Sequence, residues 1–174
     1  MSYKTLVEEL EELKLEELIG LKVEKISIGT NDEYMKLDTD KGLIGFETYG
    51  DCCSFTWFAE IINTKALIGN IVIEARELQH SELPQRLQKL NQIDDGNSRD
   101  SDIAHGIEIT TIAGKTQIIY RNSSNGYYDG GIGKASWADA SAMVRTTWNN
   151  EKKCRETLPI VWEEIVEEWD AYGK

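Results

Sequence analysis

Two adjacent cysteines carry the most reactive chemistry in this sequence. Cys52 and Cys53 stand just before residues 55–62, a run of large apolar side chains that predicts a short helix with Ser54 as its N-cap. Because a helix N-terminus lowers the pKa of a nearby thiol, Cys53 is a candidate nucleophile. Its base would have to be one of two histidines, both distant in sequence, and the neighbouring Asp51 opposes thiolate formation. A cysteine-dependent enzyme is therefore a third-ranked hypothesis, and no catalytic residue is assigned.

Metal and phosphate motifs are not supported by the spacing of the ligand-type residues. Adjacent cysteines point in divergent directions, whereas structural zinc sites draw on spaced pairs. Residues 94–102 are rich in oxygen ligands but lack the spacing of a calcium-binding EF-hand loop. Residues 131–134 contain a Gly-Lys pair without the flanking residues of a phosphate-binding loop. We therefore expect neither a metal ligand set nor a cofactor.

Two compact segments, residues 50–57 and 121–131, are dense in residues that serve both structure and recognition. Their glycines permit positive φ, their tyrosines offer flat amphipathic surface, and Asp51 is placed to pair with Arg121. They are either tight, hydrogen-bonded corners of a sheet or the walls of a pocket for a small ligand or metal. The candidate ligand-binding residues are Asp51, Cys52, Cys53, Ser54, Trp57, Arg121, Asn122, Asn125, Tyr127 and Tyr128.

Strands must position both segments. Apolar residues alternate over residues 21–28 with a change of register that predicts a bulge near Glu24 and Lys25, and further strands are predicted over residues 34–39 and 43–49. The connections are too short for parallel crossovers, so this part is an antiparallel meander. A buried strand at residues 71–73 and a second hairpin, residues 107–121 turning at Gly114, complete a predicted antiparallel sheet of about six to seven strands.

Helices are predicted around this sheet, giving an α+β fold in one domain of residues 1–174. Residues 1–20 form an acidic N-terminal helix, residues 55–62 the short central helix, and residues 139–148 and 158–172 two C-terminal helices. The last helix is predicted from Trp162, Ile165, Val166 and Trp169, which recur at the spacing of one helical face. The body spans residues 21–135, with a surface excursion at 79–104 that contains one or two helical turns, and the C-terminal helices span 136–174.

Composition narrows the class of partner. The chain has 174 residues, 40% of them apolar, and a formal net charge of −12. This charge disfavours direct binding to nucleic acid or to an anionic membrane, and it permits attraction to a basic protein, including one that itself binds nucleic acid. No apolar run approaches the length of a membrane span, the N-terminus is polar, and three cysteines make no disulfide framework. We expect a cytoplasmic protein.

The two compact segments also carry a resemblance. Gly-Asp-Cys-Cys-Ser at residues 50–54 followed by Trp57, together with Arg-Asn-Ser-Ser-Asn-Gly-Tyr-Tyr at 121–128, resembles an uncharacterised family of small bacterial and bacteriophage proteins. The resemblance covers roughly residues 20–133, and Asp129 interrupts the glycine run that follows the tyrosines in the family. It implies no activity. It does imply a bacterial or phage-infected cell, where small acidic proteins often block host machinery.

The leading hypothesis is therefore a non-enzymatic, acidic interaction protein that binds a basic host protein as an inhibitor or a nucleic-acid mimic. Acidic residues on the outer faces of the predicted helices would supply the contact surface. Such faces are more often simply solvated. The alternative is a small-ligand or metal-binding domain that uses the two compact segments. The candidate partner-binding residues are Glu163, Glu164, Glu167, Glu168 and Asp170.

Overall fold

The computed structural model of the chain describes residues 14–51, 53–90, 101–124, 130–135 and 144–172. These residues are mostly in β-strands, with one short α-helix, α1 (Gln85–Gln88), and single 3-10 turns at Leu15–Leu18, Thr30–Asp32, Thr64–Ala66 and His80–Glu82. The strands are β1 (Lys22–Gly29), β2 (Tyr34–Thr39), β3 (Gly42–Gly50), β4 (Ser54–Ile62), β5 (Asn70–Ile71), β6 (Glu74–Glu77), β7 (Ser101–Thr111), β8 (Gly114–Ser124), β9 (Gly130–Lys134), β10 (Val144–Asn149), β11 (Cys154–Pro159), β12 (Trp162–Ile165) and β13 (Trp169–Asp170).

The strands form two packed sheets and a separate hairpin. Sheet A has the order β12-β1-β2-β3-β9, with β5 also pairing β1, and sheet B has the order β13-β4-β8-β7-β6. Among the described strands, β10 and β11 pair only with each other. All of these pairings are antiparallel. The prediction of an α+β fold with one sheet was therefore wrong, because the architecture is a β-sandwich.

The main core lies between the two sheets. Alternate residues of each strand point inward and meet residues of the other sheet, as in other sandwiches. Sheet A contributes Val23, Ile26, Ile28, Met35, Leu37, Phe46 and Ile165, and sheet B contributes Phe58, Ile61, Ile107, Ile109, Ile118, Tyr120 and Trp169.

A smaller core covers part of the outer face of sheet B. Leu83 and Leu87, from the segment that contains α1, pack on Ala59, Ala104 and Ile119. An ion pair also joins this segment to β4 of sheet B, since Arg86 Nη1 lies 2.5 Å from Glu60 Oε1. The outer face of sheet B is thus partly buried under this segment, and strand β4 is apolar on both of its faces for that reason.

The strand predictions for the meander and the second hairpin are confirmed. β1, β2 and β3 pair consecutively, and the register between β1 and β2 shifts between Val23 and Lys25, where a bulge was expected. β7 and β8 pair around the turn before Gly114. The expected strand at residues 71–73 is shorter, since β5 ends at Ile71 and only Val72 of the three residues is buried.

The predictions of the N-terminal, central and C-terminal helices were wrong wherever the described residues test them. Residues 55–62 form most of β4, so Ser54 begins a strand and caps no helix. Residues 158–172 contain the end of β11, then β12 and β13, and residues 144–148 of the predicted helix at 139–148 lie in β10. Residues 1–13 and 139–143 lie outside the described residues. The remainder of the N-terminal prediction is a single 3-10 turn, Leu15–Leu18.

The predicted surface excursion at residues 79–104 is only partly an excursion. It contains the 3-10 turn His80–Glu82 and α1, which confirms the expectation of short helical turns. Its last residues already belong to β7, which starts at Ser101, and residues 91–100 lie outside the described part. None of the helices described is long and apolar enough to cross a membrane.

Candidate recognition face

The two compact segments meet in space as neighbouring strands. Residues 54–62 in β4 pair with residues 117–124 in β8, which places Ser54 opposite Ser124 and Trp57 opposite Arg121. Because successive residues of a strand point to opposite faces, each segment presents one set of side chains to the sandwich interior and another to its outer surface. The two sets have different chemistry.

The inward set is a buried polar corner centred on Asn122, which is 1% exposed. Asn122 Nδ2 donates hydrogen bonds to Ser54 Oγ at 2.7 Å and to Thr56 Oγ1 at 2.9 Å. The hydroxyls of Ser101 and Ser124 lie 3.0 Å apart at the same end of the strands. A buried amide that satisfies neighbouring hydroxyls in this way fixes the register of β4 on β8.

Glycines let the backbone of a third strand approach this corner. A Cβ atom on Gly130, in β9, would lie 2.3 Å from Thr56 Oγ1, 2.5 Å from Asn122 Nδ2 and 2.5 Å from the Tyr49 carbonyl oxygen. A Cβ on Gly50 would lie 2.6 Å from the Ser54 carbonyl oxygen. Close approach, rather than the positive φ expected from the sequence, is therefore the reason for glycine at both positions.

The outward set is built around Arg121. Its guanidinium donates from Nε to Asp102 Oδ1 at 3.1 Å and from Nη2 to Asp102 Oδ2, a bidentate ion pair. The guanidinium carbon also lies 5.2 Å from the centre of the Trp57 ring and 5.5 Å from that of Tyr172. Arg121 is thus held between two aromatic rings, and its predicted partner Asp51 is replaced by Asp102.

These aromatic rings form a partly exposed surface. Phe55 stacks on Trp57 with 5.5 Å between ring centres, and Phe55 is 49% exposed. Tyr172, whose hydroxyl accepts a hydrogen bond from Arg121 Nη1, is 63% exposed. We call Phe55, Trp57, Arg121 and Tyr172 the aromatic shelf. Clustered exposed aromatic side chains of this kind are typical of binding surfaces rather than of the general surface.

Carboxylates flank the shelf along the chain that leads to Tyr172. We call Glu167, Glu168 and Asp170 the acidic edge; all three are exposed. The edge is tied to sheet B, since the Asn63 amide donates to Glu168 Oε1 at 2.6 Å and the Tyr172 amide donates to Asp170 Oδ1 at 2.7 Å. Glu167 and Glu168 also line, with Asn63 and Lys65, an open cavity of about 240 Å³.

A comparison with known families gives a match for this chain. The family model of a domain of unknown function, DUF7448, matches residues 16–133. The chain belongs to the DUF7448 family. No curated protein and no solved structure matches the chain. The matched residues include β4 and β8, and hence Phe55, Trp57 and Arg121 of the shelf, whereas Tyr172 and the acidic edge lie outside them.

The predicted partner-binding acids are divided between the two sheets. Glu163 and Glu164 lie on β12 of sheet A, opposite Ile28 and Ser27 of β1, while Asp170 pairs with Glu60 in sheet B. The expectation that all five acids line the outer faces of one helix was therefore wrong. Only the acidic edge adjoins the aromatic shelf.

The structure removes the reason for assigning a nucleophilic cysteine. Cys53 is exposed, with φ 64°, but the segment after it is β4, so no helix dipole acts on its thiol. Cys52, Asn125, Tyr127 and Tyr128 lie outside the described residues. Among the residues described, no group of three or more histidine, cysteine or acidic side chains is arranged to hold a metal ion.

A second cluster of titratable groups, which the sequence did not indicate, lies on the outer face of sheet A. Tyr34 pairs with Glu47 across β2 and β3, and Glu33 and Arg145 lie nearby. Burial and the Glu33 carboxylate raise the pKa of Glu47, and burial also raises the pKa of Glu33 although Arg145 opposes it. Burial, with both carboxylates, raises the pKa of Tyr34 to about 12. No spacing in the sequence brings these residues together; only the strand register does.

Proposed function

We propose that this domain is a non-enzymatic recognition module that binds a basic segment of another protein on the aromatic shelf and acidic edge. The observation that carries the proposal is the partly exposed stack of Phe55 and Trp57 beside Tyr172, where the two compact segments meet. Aromatic faces attract lysine and arginine side chains, and neighbouring carboxylates add charge complementarity. The net charge of −12 steers a basic partner toward the protein from a distance.

The open cavity at the acidic edge supports the same kind of ligand. Its lining combines two carboxylates, from Glu167 and Glu168, with one lysine, so a cationic side chain is favoured there over an anionic one. A long side chain of the partner would enter this cavity while neighbouring residues of the partner lie on the shelf. Arg121 contributes by holding Trp57 and Tyr172 in place, because its own charge is already paired with Asp102.

We propose a cytoplasmic setting in a bacterial or phage-infected cell, with a basic host protein as the partner. Blocking a basic, nucleic-acid-binding surface would make the domain an inhibitor of the nucleic-acid mimic type. The exposed free thiol of Cys154 is consistent with a reducing compartment. The negative charge of the chain disfavours nucleic acid itself and anionic membranes as partners.

The test is calorimetric titration with a short peptide rich in arginine and tryptophan, used as the probe of a basic segment. We expect the double variant Glu167→Lys/Asp170→Lys to bind it about tenfold more weakly, since two exposed ion pairs and the new repulsion account for roughly 1.4 kcal/mol. The matched control is Glu163→Lys/Glu164→Lys, which makes the same change of net charge on β12 of the other sheet.

The comparison between these variants separates a local site from general electrostatic attraction. The control should retain affinity within about twofold of the wild type, because at physiological salt charges interact over only about 8 Å. Equal losses in both double variants would mean that the attraction is spread over the whole protein, and the proposal would be abandoned. A wild-type protein that does not bind the peptide at millimolar concentration would also refute it.

A further inference from the structure

The hairpin β10–β11 leaves one face uncovered. No other strand described pairs with either of its strands. The residues on one face are all exposed, including Trp148 at 55% and Val144 at 42%. Across the hairpin, Trp148 pairs with Arg155 and Val144 with Pro159. An isolated two-stranded hairpin is only marginally stable in water, so a partner that covers this face would stabilise it.

The hairpin differs in charge from the rest of the chain. Residues 144–159 contain four basic and two acidic side chains, a formal charge of +2, which leaves −14 for the rest of a chain whose total is −12. One of the four basic side chains, Arg145, lies by Glu33 and by Tyr34 of sheet A and not on the uncovered face. Glu156 is already paired with Lys152 at 2.7 Å. Lys153 and Arg155 are exposed, and Arg155 lies opposite Trp148 across the hairpin. The hairpin therefore presents a basic and aromatic surface on an acidic protein.

This surface is complementary to the aromatic shelf and the acidic edge, because its charge is positive where theirs is negative and its indole can stack on their aromatic rings. The two lie on opposite outer faces of the sandwich. The chain that follows the hairpin packs on sheet A, where the Val161 amide donates to Thr30 Oγ1 at 2.8 Å and Ile160 covers Gly29. The shelf lies on the outer face of sheet B. A hairpin anchored on sheet A is thus placed to reach the shelf of a second copy rather than its own.

We propose that the hairpin β10–β11 docks on the aromatic shelf and acidic edge of a second copy of this chain. Trp148 stacks against the exposed ring of Phe55, and Arg155 faces Asp170. The proposal rests on the proposed function, because it names one ligand of the same surface. A single hairpin face is small, so the complex belongs to the weak class whose total buried area is below roughly 1,200 Å². Two reciprocal contacts would give a two-fold dimer.

The test is sedimentation equilibrium of the full chain between micromolar and millimolar concentration, at physiological salt. The weight-average mass of the wild type should rise above the 19.7 kDa monomer with concentration. Trp148→Ser/Arg155→Glu and, separately, Phe55→Ser/Asp170→Lys should each weaken association at least tenfold. Lys41→Glu, a charge reversal of an exposed residue at the turn between β2 and β3, should leave it within twofold.

Mixing the two double variants tests directly whether the hairpin of one copy docks on the shelf of another. The hairpin variant keeps an intact shelf and the shelf variant keeps an intact hairpin, so the mixture should associate although neither does so alone. This result also shows that both variants fold. A wild type that stays monomeric at millimolar concentration, or a mixture that stays monomeric, overturns the self-docking proposal. Titration of the hairpin variant with the arginine- and tryptophan-rich peptide tests the proposed function of the shelf separately. If this variant does not bind the peptide, the proposed function itself is contradicted.

Discussion

Replacing Gly130 by alanine should destabilise the protein through the buried polar corner. The new Cβ would lie 2.3 Å from Thr56 Oγ1 and 2.5 Å from both Asn122 Nδ2 and the Tyr49 carbonyl oxygen. These contacts are about 1 Å shorter than van der Waals separation, and two of the three atoms belong to a buried hydrogen bond. Overpacking costs about 1–3 kcal/mol, and loosening the Asn122 hydrogen bond adds about 1 kcal/mol.

A total loss of about 2–4 kcal/mol lowers the melting temperature of a chain of this size by roughly 4–16 °C. Differential scanning calorimetry and urea denaturation measure the loss. The control is Gly131→Ala, whose Cβ would meet the tip of the rotatable Tyr49 side chain at 3.0 Å, and which should cost under about 1 kcal/mol. If the two variants have the same stability, the close approach of β9 to Asn122 is not what requires glycine, and the account of the corner fails.

Three further perturbations test the electrostatic and polar contacts. Asn122→Ala should lose about 1–3 kcal/mol of unfolding free energy in urea, because it leaves the buried hydroxyl of Thr56 without this hydrogen bond; a loss below about 0.5 kcal/mol, as for an ordinary surface substitution, would contradict this. Glu47→Gln should stabilise the protein at pH 8 by up to about 1 kcal/mol. Since folding raises the pKa of Glu47, its ionisation opposes folding above that pKa, and the gain should vanish below pH 4.5, the ordinary value. Glu108→Gln should instead destabilise the protein at pH 8. Although burial opposes ionisation, hydrogen bonds from Lys115 and Gln117 lower the pKa of Glu108. The ionised carboxylate therefore stabilises the fold by roughly 1–3 kcal/mol above pH 4.5, and this contribution is lost as the pH falls further. Thermal unfolding followed between pH 3 and pH 8 checks both signs, and a constant difference from the wild type across that range would refute them.

The strands that were predicted share a local signal. β1 to β3 and the β7–β8 hairpin are joined by short turns, and their apolar residues face one core with clear alternation, so neighbouring residues in sequence determine them. Even the bulge between Val23 and Lys25 is visible in the sequence, as a change in the register of the apolar residues. Local patterns of this kind need no knowledge of the second sheet.

The missed strands depend on contacts that lie far away in sequence. Residues 55–62 are apolar on both faces, because one face meets the main core and the other meets Leu83 and Leu87, and a bulge between Phe58 and Glu60 further interrupts their alternation. A short run of this kind is ambiguous between helix and strand. The same long-range pairing explains why the sequence could indicate Trp57 and Arg121 as candidates for a site but could not show that Arg121 pairs with Asp102.

The apparent last helix is a coincidence of spacing. Ile165 and Trp169, four residues apart, are both buried, which imitates one face of a helix. In the fold Ile165 points inward from β12 in sheet A, and Trp169 points inward from β13 in sheet B, so the four-residue interval is the distance along the chain from one sheet to the other. Val166, between them, is 58% exposed, as a connecting residue would be.

The most direct measurement of the central proposal is a backbone amide NMR titration of the labelled protein with the arginine- and tryptophan-rich peptide. We expect the largest shift changes at residues 55–57 of β4, at Arg121 and at residues 167–172, with little change on β12. Changes concentrated on β12, or spread evenly over all exposed acids, would contradict recognition at the aromatic shelf.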